Sequence, residues 1–153
     1  MDNITILILD LDGVLITNPT WKADEIHDDG YSAFNRGCIE NLNKLLSFKK
    51  FEIWLSSTRR INKTLDEFNE IFYNRGIKQK IRGFLPRYIG CRDRKEEILK
   101  FIAELKISNY LIIDDDKSLN GLSQDMKKNL VLTELSKGFD SEKLKEAIVS
   151  VKR

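Results

Sequence analysis

One histidine, His27, is all the imidazole this 153-residue chain contains. That scarcity excludes Ser-His-Asp hydrolases, two-histidine nucleases and most zinc hydrolases, whose chemistry needs imidazole as base or ligand. Cysteine is nearly as scarce. Cys38 and Cys91 make neither a disulfide framework nor a zinc-ligand spacing, and each reads as a plain buried thiol. No apolar run is long enough to span a bilayer. Met1-Asp2-Asn3 lacks the basic start of a secretory signal, and Ile4 to Leu9 is too short for its apolar core, so the expectation is a cytoplasmic protein with no membrane partner. Any chemistry here runs on carboxylates, hydroxyls and cations.

Those groups are abundant and unevenly placed. The net charge is only +2, yet residues 59–95 hold eleven Lys/Arg against four Asp/Glu, a balance of +7 that leaves −5 for the rest. A basic stretch in an otherwise acidic chain reads either as a solvated face or as the seat of an anionic ligand. Repeats, low-complexity tracts and Pro/Gly/Ser linkers are all missing, which predicts a single domain over residues 1–153.

Apolar runs occur at Ile4–Leu9, Phe51–Leu55 and Tyr110–Ile113, and stretches such as Ile-Leu-Ile-Leu and Tyr-Leu-Ile-Ile lack alternation, as strands buried on both faces of a parallel sheet do; Lys80–Phe84 and Leu130–Thr133 are weaker candidates. Helical spacing links Ile39 to Leu46, Leu65 to Phe72, Ile98 to Leu105 and Leu144 to Val151, with Asp140 or Ser141 capping the last helix. The alternation predicts a three-layer α/β fold with right-handed crossovers. Leu15 to about Ala33 has no period, and a long irregular segment in a compact domain is commonly functional.

In such sheets ligands bind at the carboxyl ends of the strands. The first strand runs into Asp10-Leu11-Asp12-Gly13, the second into Ser56-Ser57-Thr58-Arg59-Arg60, and a later one into Asp114-Asp115-Asp116. Carboxylates gathered at buried strand ends need a cation, and hard oxygen ligands suit magnesium. Asp10 and Asp12 lie two apart, on one side of an extended backbone, so one can attack phosphorus while the other moves a proton. Ser56 can donate to a phosphoryl oxygen, with Ser57 or Thr58 as alternatives; Arg94 or Lys95 supplies the cation. Arg87 and Arg92 either reach the phosphate or are solvated. Asp116 starts like a calcium loop, but Lys127 fills the position of the bidentate glutamate, so Asp116 reads as a loop cap. Trp21, Lys22 and His27 either touch substrate or pack on the surface. The Phe68 and Phe72 stripe reads as core.

Asp10-Leu11-Asp12-Gly13-Val14-Leu15 resembles the first motif of haloacid dehalogenase (HAD) superfamily phosphatases. Ser56, Arg94 and Asp114-Asp115 resemble the other three motifs, in the expected order. Leu-Ser-Ser-Thr-Arg-Arg, Gly-Phe-Leu-Pro-Arg and Arg-Lys-Glu-Glu-Ile are similar to HAD domains associated with RNA repair, including the phosphatase half of polynucleotide kinase-phosphatases. Those relatives often carry Trp-Arg after the hydroxyls; here Arg59 stands at that Trp.

The resemblance implies a HAD fold and an aspartyl-phosphate mechanism. Asp10 would be the nucleophile and Asp12 the general acid/base, with Ser56 and Arg94 holding the phosphoryl group. Ser57, Arg59, Arg60 and Lys95 would contact substrate. Asp10, Asp12 (through its backbone carbonyl), Asp114 and Asp115 would hold Mg2+. Gaps of about 40 and 37 residues between the first three motifs leave no room for a cap domain. An open site suits the phosphorylated end of RNA or DNA. The alternatives are a small-molecule phosphatase and a non-catalytic, receiver-like phosphate-binding module.

Overall fold

The structure is a computed structural model that describes residues 3–17 and 23–152; Trp21 and Lys22 lie outside them. Five parallel strands form one sheet: β1 (Thr5–Leu9), β2 (Phe51–Leu55), β3 (Ile81–Phe84), β4 (Tyr110–Asp114) and β5 (Leu130–Leu132), ordered β3-β2-β1-β4-β5. The chain winds outward from β1 through β2 to β3, then returns to add β4 on the other side of β1. That reversal makes the carboxyl edge beside β1 the place where an α/β sheet opens a crevice. Register fixes what meets there. Leu9 pairs with Leu55 on one side and Ile113 on the other, so Asp10, Ser56 and Asp114 follow as a row across three neighbouring strands.

Alternation along β1 divides two cores. Leu7 and Leu9 face α1 (Arg36–Leu46), α2 (Leu65–Asn74) and α5 (Ser141–Val151), packing with Leu42, Leu45, Phe68, Phe72 and Ala147. Ile8 faces the opposite layer, where α3 (Arg94–Glu104) contributes Ile98 and Phe101. Three layers result, as the unalternating strands predict. The Phe68–Phe72 stripe is core: Phe68 is fully buried, edge-on to both Tyr31 and Phe84.

Each helix begins on a side chain that satisfies its first amides. Asn35 caps α1, Thr64 and Glu67 form a reciprocal box on α2, Asp93 caps α3 and Asp140 caps α5. Three short elements were invisible to periodicity: 3-10 turns at Thr58–Ile61 and Lys117–Gly121, and the one-turn α4 (Gln124–Lys127). Between β1 and α1 the described residues form one isolated antiparallel bridge, Ile26 with Ser32. No helix among the described residues is long and apolar enough to cross a membrane.

Candidate active site

The chain leaves β1 in a tight turn. The carbonyl of Leu11 accepts the amides of Val14, Leu15 and Ile16, and Gly13 sits at φ +78°. That conformation favours glycine, and a Cβ there would collide with the Asp115 carboxylate. Thr133, just past β5, donates its hydroxyl to the Gly13 carbonyl at 2.6 Å. The turn after β1 is thereby tied directly to the end of β5.

This turn separates the two aspartates that an extended backbone would have aligned. Asp10 is buried, its side chain 6% exposed; Asp12 remains 44% exposed. Asp10 joins Asp114 and Asp115, one oxygen from each lying within 4.8 Å of the others. Burial, and next the neighbouring Asp114 charge, push the Asp10 carboxyl well above the usual carboxylate range. The same two causes, in the same order, raise Asp115.

Arg94 opens α3 and lies against this cluster. Its Nη1 donates to Asp114 Oδ2 at 2.6 Å and stands 3.5 Å from both Asp10 Oδ2 and Ser56 Oγ. The Ser56 hydroxyl, fully buried, faces Asp114 Oδ2 at 3.4 Å. One guanidinium thus faces a cluster of three carboxylates and touches two of them, Asp10 and Asp114. That excess of buried negative charge, built entirely from oxygen donors, fits a hard divalent cation. The Asp12 carboxylate does not join the cluster.

Asp12 is held by Arg59 instead. Arg59 Nε donates to Asp12 Oδ2 at 2.8 Å and Nη2 to Oδ1 at 2.9 Å, a two-pronged pair. Arg59 Nη1 also donates to Tyr31 Oη and Ser32 Oγ, each at 3.2 Å, and Nη2 reaches Asp24 Oδ2 at 3.5 Å. The hydrogen bonds to Asp12, first among the causes, hold the guanidinium still more firmly protonated than usual.

A second arginine secures the segment that supplies Tyr31 and Ser32. Arg75, its side chain 1% exposed, pairs with both oxygens of Asp29 and donates to the carbonyls of Ile71, Tyr31 and Ser32. His27 accepts the Asp29 amide and so belongs to this turn. Tyr31, Ser32 and Asp24 lie in the aperiodic stretch, where sequence patterning carries no signal for individual side chains. Glu97, one helical turn after Arg94, was also legible only in the structure: it binds Arg60 at 2.8 Å and lies 3.7 Å from Arg94 Nε.

Several expected substrate ligands are engaged elsewhere. Arg60 is buried, donating to the carbonyls of Leu85, Ser56 and Ser57 as well as to Glu97, and it braces the loop after β2. Ser57 caps the 3-10 turn by accepting the Arg59 amide. Lys95 donates its amide to Ser118 and lays its side chain over Gly121. Arg92 pairs with Glu96, while Arg87 lines a groove of about 520 Å³ with Thr58, Ile61, Tyr88 and Ile89. Asp116 caps the 3-10 turn after β4. Cys38 is a buried thiol pushed up to about 11 by burial, as a plain packing cysteine would be.

No curated protein matches the sequence. A family model described as the HAD domain in Swiss Army Knife RNA repair proteins matches residues 6–144, which takes in β1, every acidic strand end and the first part of α5. With Asp10, Ser56, Arg94 and Asp114 already gathered at one sheet edge, this chain belongs to that family of HAD domains.

Proposed function

We propose that the chain is a magnesium-dependent phosphomonoesterase acting through an aspartyl-phosphate on Asp10, with the phosphorylated end of a nucleic acid as substrate. The observation that carries the chemistry is the buried Asp10 carboxylate, flanked by two further acids, one guanidinium and one hydroxyl. Asp10, Asp114 and Asp115 would hold the magnesium ion, which when bound screens the carboxylates from each other and from the phosphoryl oxygens.

The residues divide the remaining work. Arg94 and the Ser56 hydroxyl offer positive charge and a donor to the equatorial oxygens of the phosphoryl group. An oxygen of Asp10 attacks phosphorus as the bond to the ester oxygen breaks, and Asp12 gives that oxygen its proton. Asp12, now the base, takes a proton from a water whose oxygen attacks the aspartyl-phosphate, returning Asp10 and releasing inorganic phosphate.

Asp12 and Arg59 are partly open to solvent, an entrance suited to a chain end. Asp115 also borders a groove of about 920 Å³ that runs past Lys117, Asn120 and Lys127 and gives room beyond the phosphate. The family's association with RNA repair points the same way. The test is phosphate release from a panel of phosphorylated oligonucleotides, nucleotides and sugar phosphates, with magnesium and with EDTA. Magnesium-dependent release favouring oligonucleotides is expected. Equal release from all three classes would return the small-molecule reading, and no release from any would remove the phosphatase.

A further inference from the structure

Both oxygens of Asp12 accept from one guanidinium, at 2.8 and 2.9 Å. That geometry holds the carboxylate firmly but in the wrong relationship for its work. To pass a proton to a leaving oxygen, Asp12 must turn at least one oxygen away from Arg59. The bond it gives up would then need replacement, because a half-buried guanidinium loses stabilisation when one prong of its fork is left unpaired. Arg59 is only 23% exposed at its side chain, and its other contacts, Tyr31 Oη, Ser32 Oγ and the more distant Asp24, do not offer a second fork. A phosphodiester does. Its two unbridged oxygens present the same spacing and charge to a guanidinium as a carboxylate.

We propose that Arg59 is a partner-exchanging residue: it holds Asp12 in the unloaded site and transfers to the phosphodiester next to the scissile phosphate, freeing Asp12 for proton transfer. The idea rests on the nucleic-acid phosphatase reading above and adds a mechanism of selection to it. A substrate with one phosphate leaves Asp12 clamped; a substrate with a second phosphate unclamps it. Selection then falls on kcat, because the second phosphate contributes to the transition state rather than to binding alone. Tyr31 and Ser32 keep the guanidinium in place during the exchange, and Arg75 in turn fixes their backbone through two carbonyls.

The experiment compares a nucleoside monophosphate with the dinucleotide bearing the same terminal phosphate, so that the leaving group is constant. In the wild type the dinucleotide should show a kcat at least about tenfold higher, the scale of one charge-assisted hydrogen bond. In Arg59→Ala that ratio should collapse toward one, and Arg59→Lys, which keeps the charge without the fork, should recover only part of it. If both substrates lose kcat by the same factor in Arg59→Ala, Arg59 merely positions Asp12 and the exchange is wrong. A second arm needs no turnover: affinity for the phosphorylated oligonucleotide in EDTA across a salt series. Loss of one phosphate contact should reduce the slope of log affinity against log salt by about 0.7. An unchanged affinity and slope in Arg59→Ala overturns the exchange even if no substrate is hydrolysed, whereas absent hydrolysis with a changed slope removes only the phosphatase reading.

Discussion

Asp10 and Asp12 are separated by one residue and live in opposite surroundings. Asp10 is enclosed, crowded by two acids and raised in pKa; Asp12 faces the entrance and shares a guanidinium fork. The difference arises from the backbone: the strand ends at Leu9 and the Leu11 carbonyl gathers three amides, so the second carboxylate swings out of the row that the first continues. Identical side chains acquire separate surroundings through position alone. A nucleophile benefits from a site that withholds water, whereas a proton carrier must reach both a leaving group and a solvent molecule.

Replacing each in turn should break the comparison most sharply. Asp10→Asn is expected to reduce turnover of every phosphate ester by more than about a hundredfold, since an amide is a poor nucleophile. In EDTA the same variant should melt a few degrees higher than wild type, because a buried charge among acids has been removed. A variant that is inactive and also less stable in EDTA would mean that the Asp10 charge is already compensated without metal. Asp12→Asn should behave differently: a loss of about a hundredfold on esters with poor leaving groups, and a much smaller one on a chromogenic ester whose leaving group needs no proton. Equal losses on both would erase the division of roles.

Magnesium sharpens the contrast from the other side. Binding to the native state alone stabilises by mass action, so millimolar magnesium should raise the melting temperature of wild type. Asp114→Ala should abolish that rise together with the activity. Acidification should mimic the metal. A folded-state carboxyl pKa raised above its unfolded value means that the folded protein binds the proton more tightly, so the buried Asp10 carboxyl costs stability in full above the raised value, and that cost shrinks as pH falls from there to the unfolded value of about 3.9. The melting temperature in EDTA should therefore climb on moving from neutral toward pH 5, and Asp10→Asn should flatten that climb.

The smallest effect belongs to the anchoring turn. Hydrogen bonding to Arg75 holds the Asp29 carboxyl well below its usual range. A lowered folded-state pKa gives stability that is complete above the unfolded value of about 3.9 and disappears as pH falls through the folded one. Asp29→Asn should thus cost stability at neutral pH, with the gap from wild type narrowing only below about pH 4. A gap that closes already at pH 6 would assign the anchoring to other groups.

Much of this was legible from residues. The apolar runs of β1 and β4 identify a sheet covered on both faces, and four ordered motifs, three at strand ends and one opening α3, mark the edge where Asp10, Ser56, Arg94 and Asp114 meet. What escaped was direction. Arg59 and Arg60 are neighbours in a basic stretch, and composition treats them alike, yet a one-turn 3-10 helix sends one to Asp12 and the other into the interior. A 3-10 turn of four residues has no periodic signature to read. Nor could pattern show that Arg75, at the C-terminal cap of α2, would reach back to Asp29, forty-six positions earlier. Long-range ion pairs depend on the completed packing of the elements that carry them.

The brace between Thr133 and Gly13 has a consequence for how the protein comes into being. The turn that aims Asp10 is closed by Thr133 and by the Phe139 amide on the Val14 carbonyl, contacts made across some 120 residues of chain. β1 itself is central and lacks one neighbour until β4 arrives. Closing such distant loops is slow, and it comes after local helices have formed. During synthesis Asp10 is therefore among the earliest residues made and among the last to be set in place. A nascent chain with β1 through β3 complete would carry a recognisable half-sheet but no closed turn, so the assembled acidic site should emerge abruptly, with the arrival of β5 and the residues just beyond it.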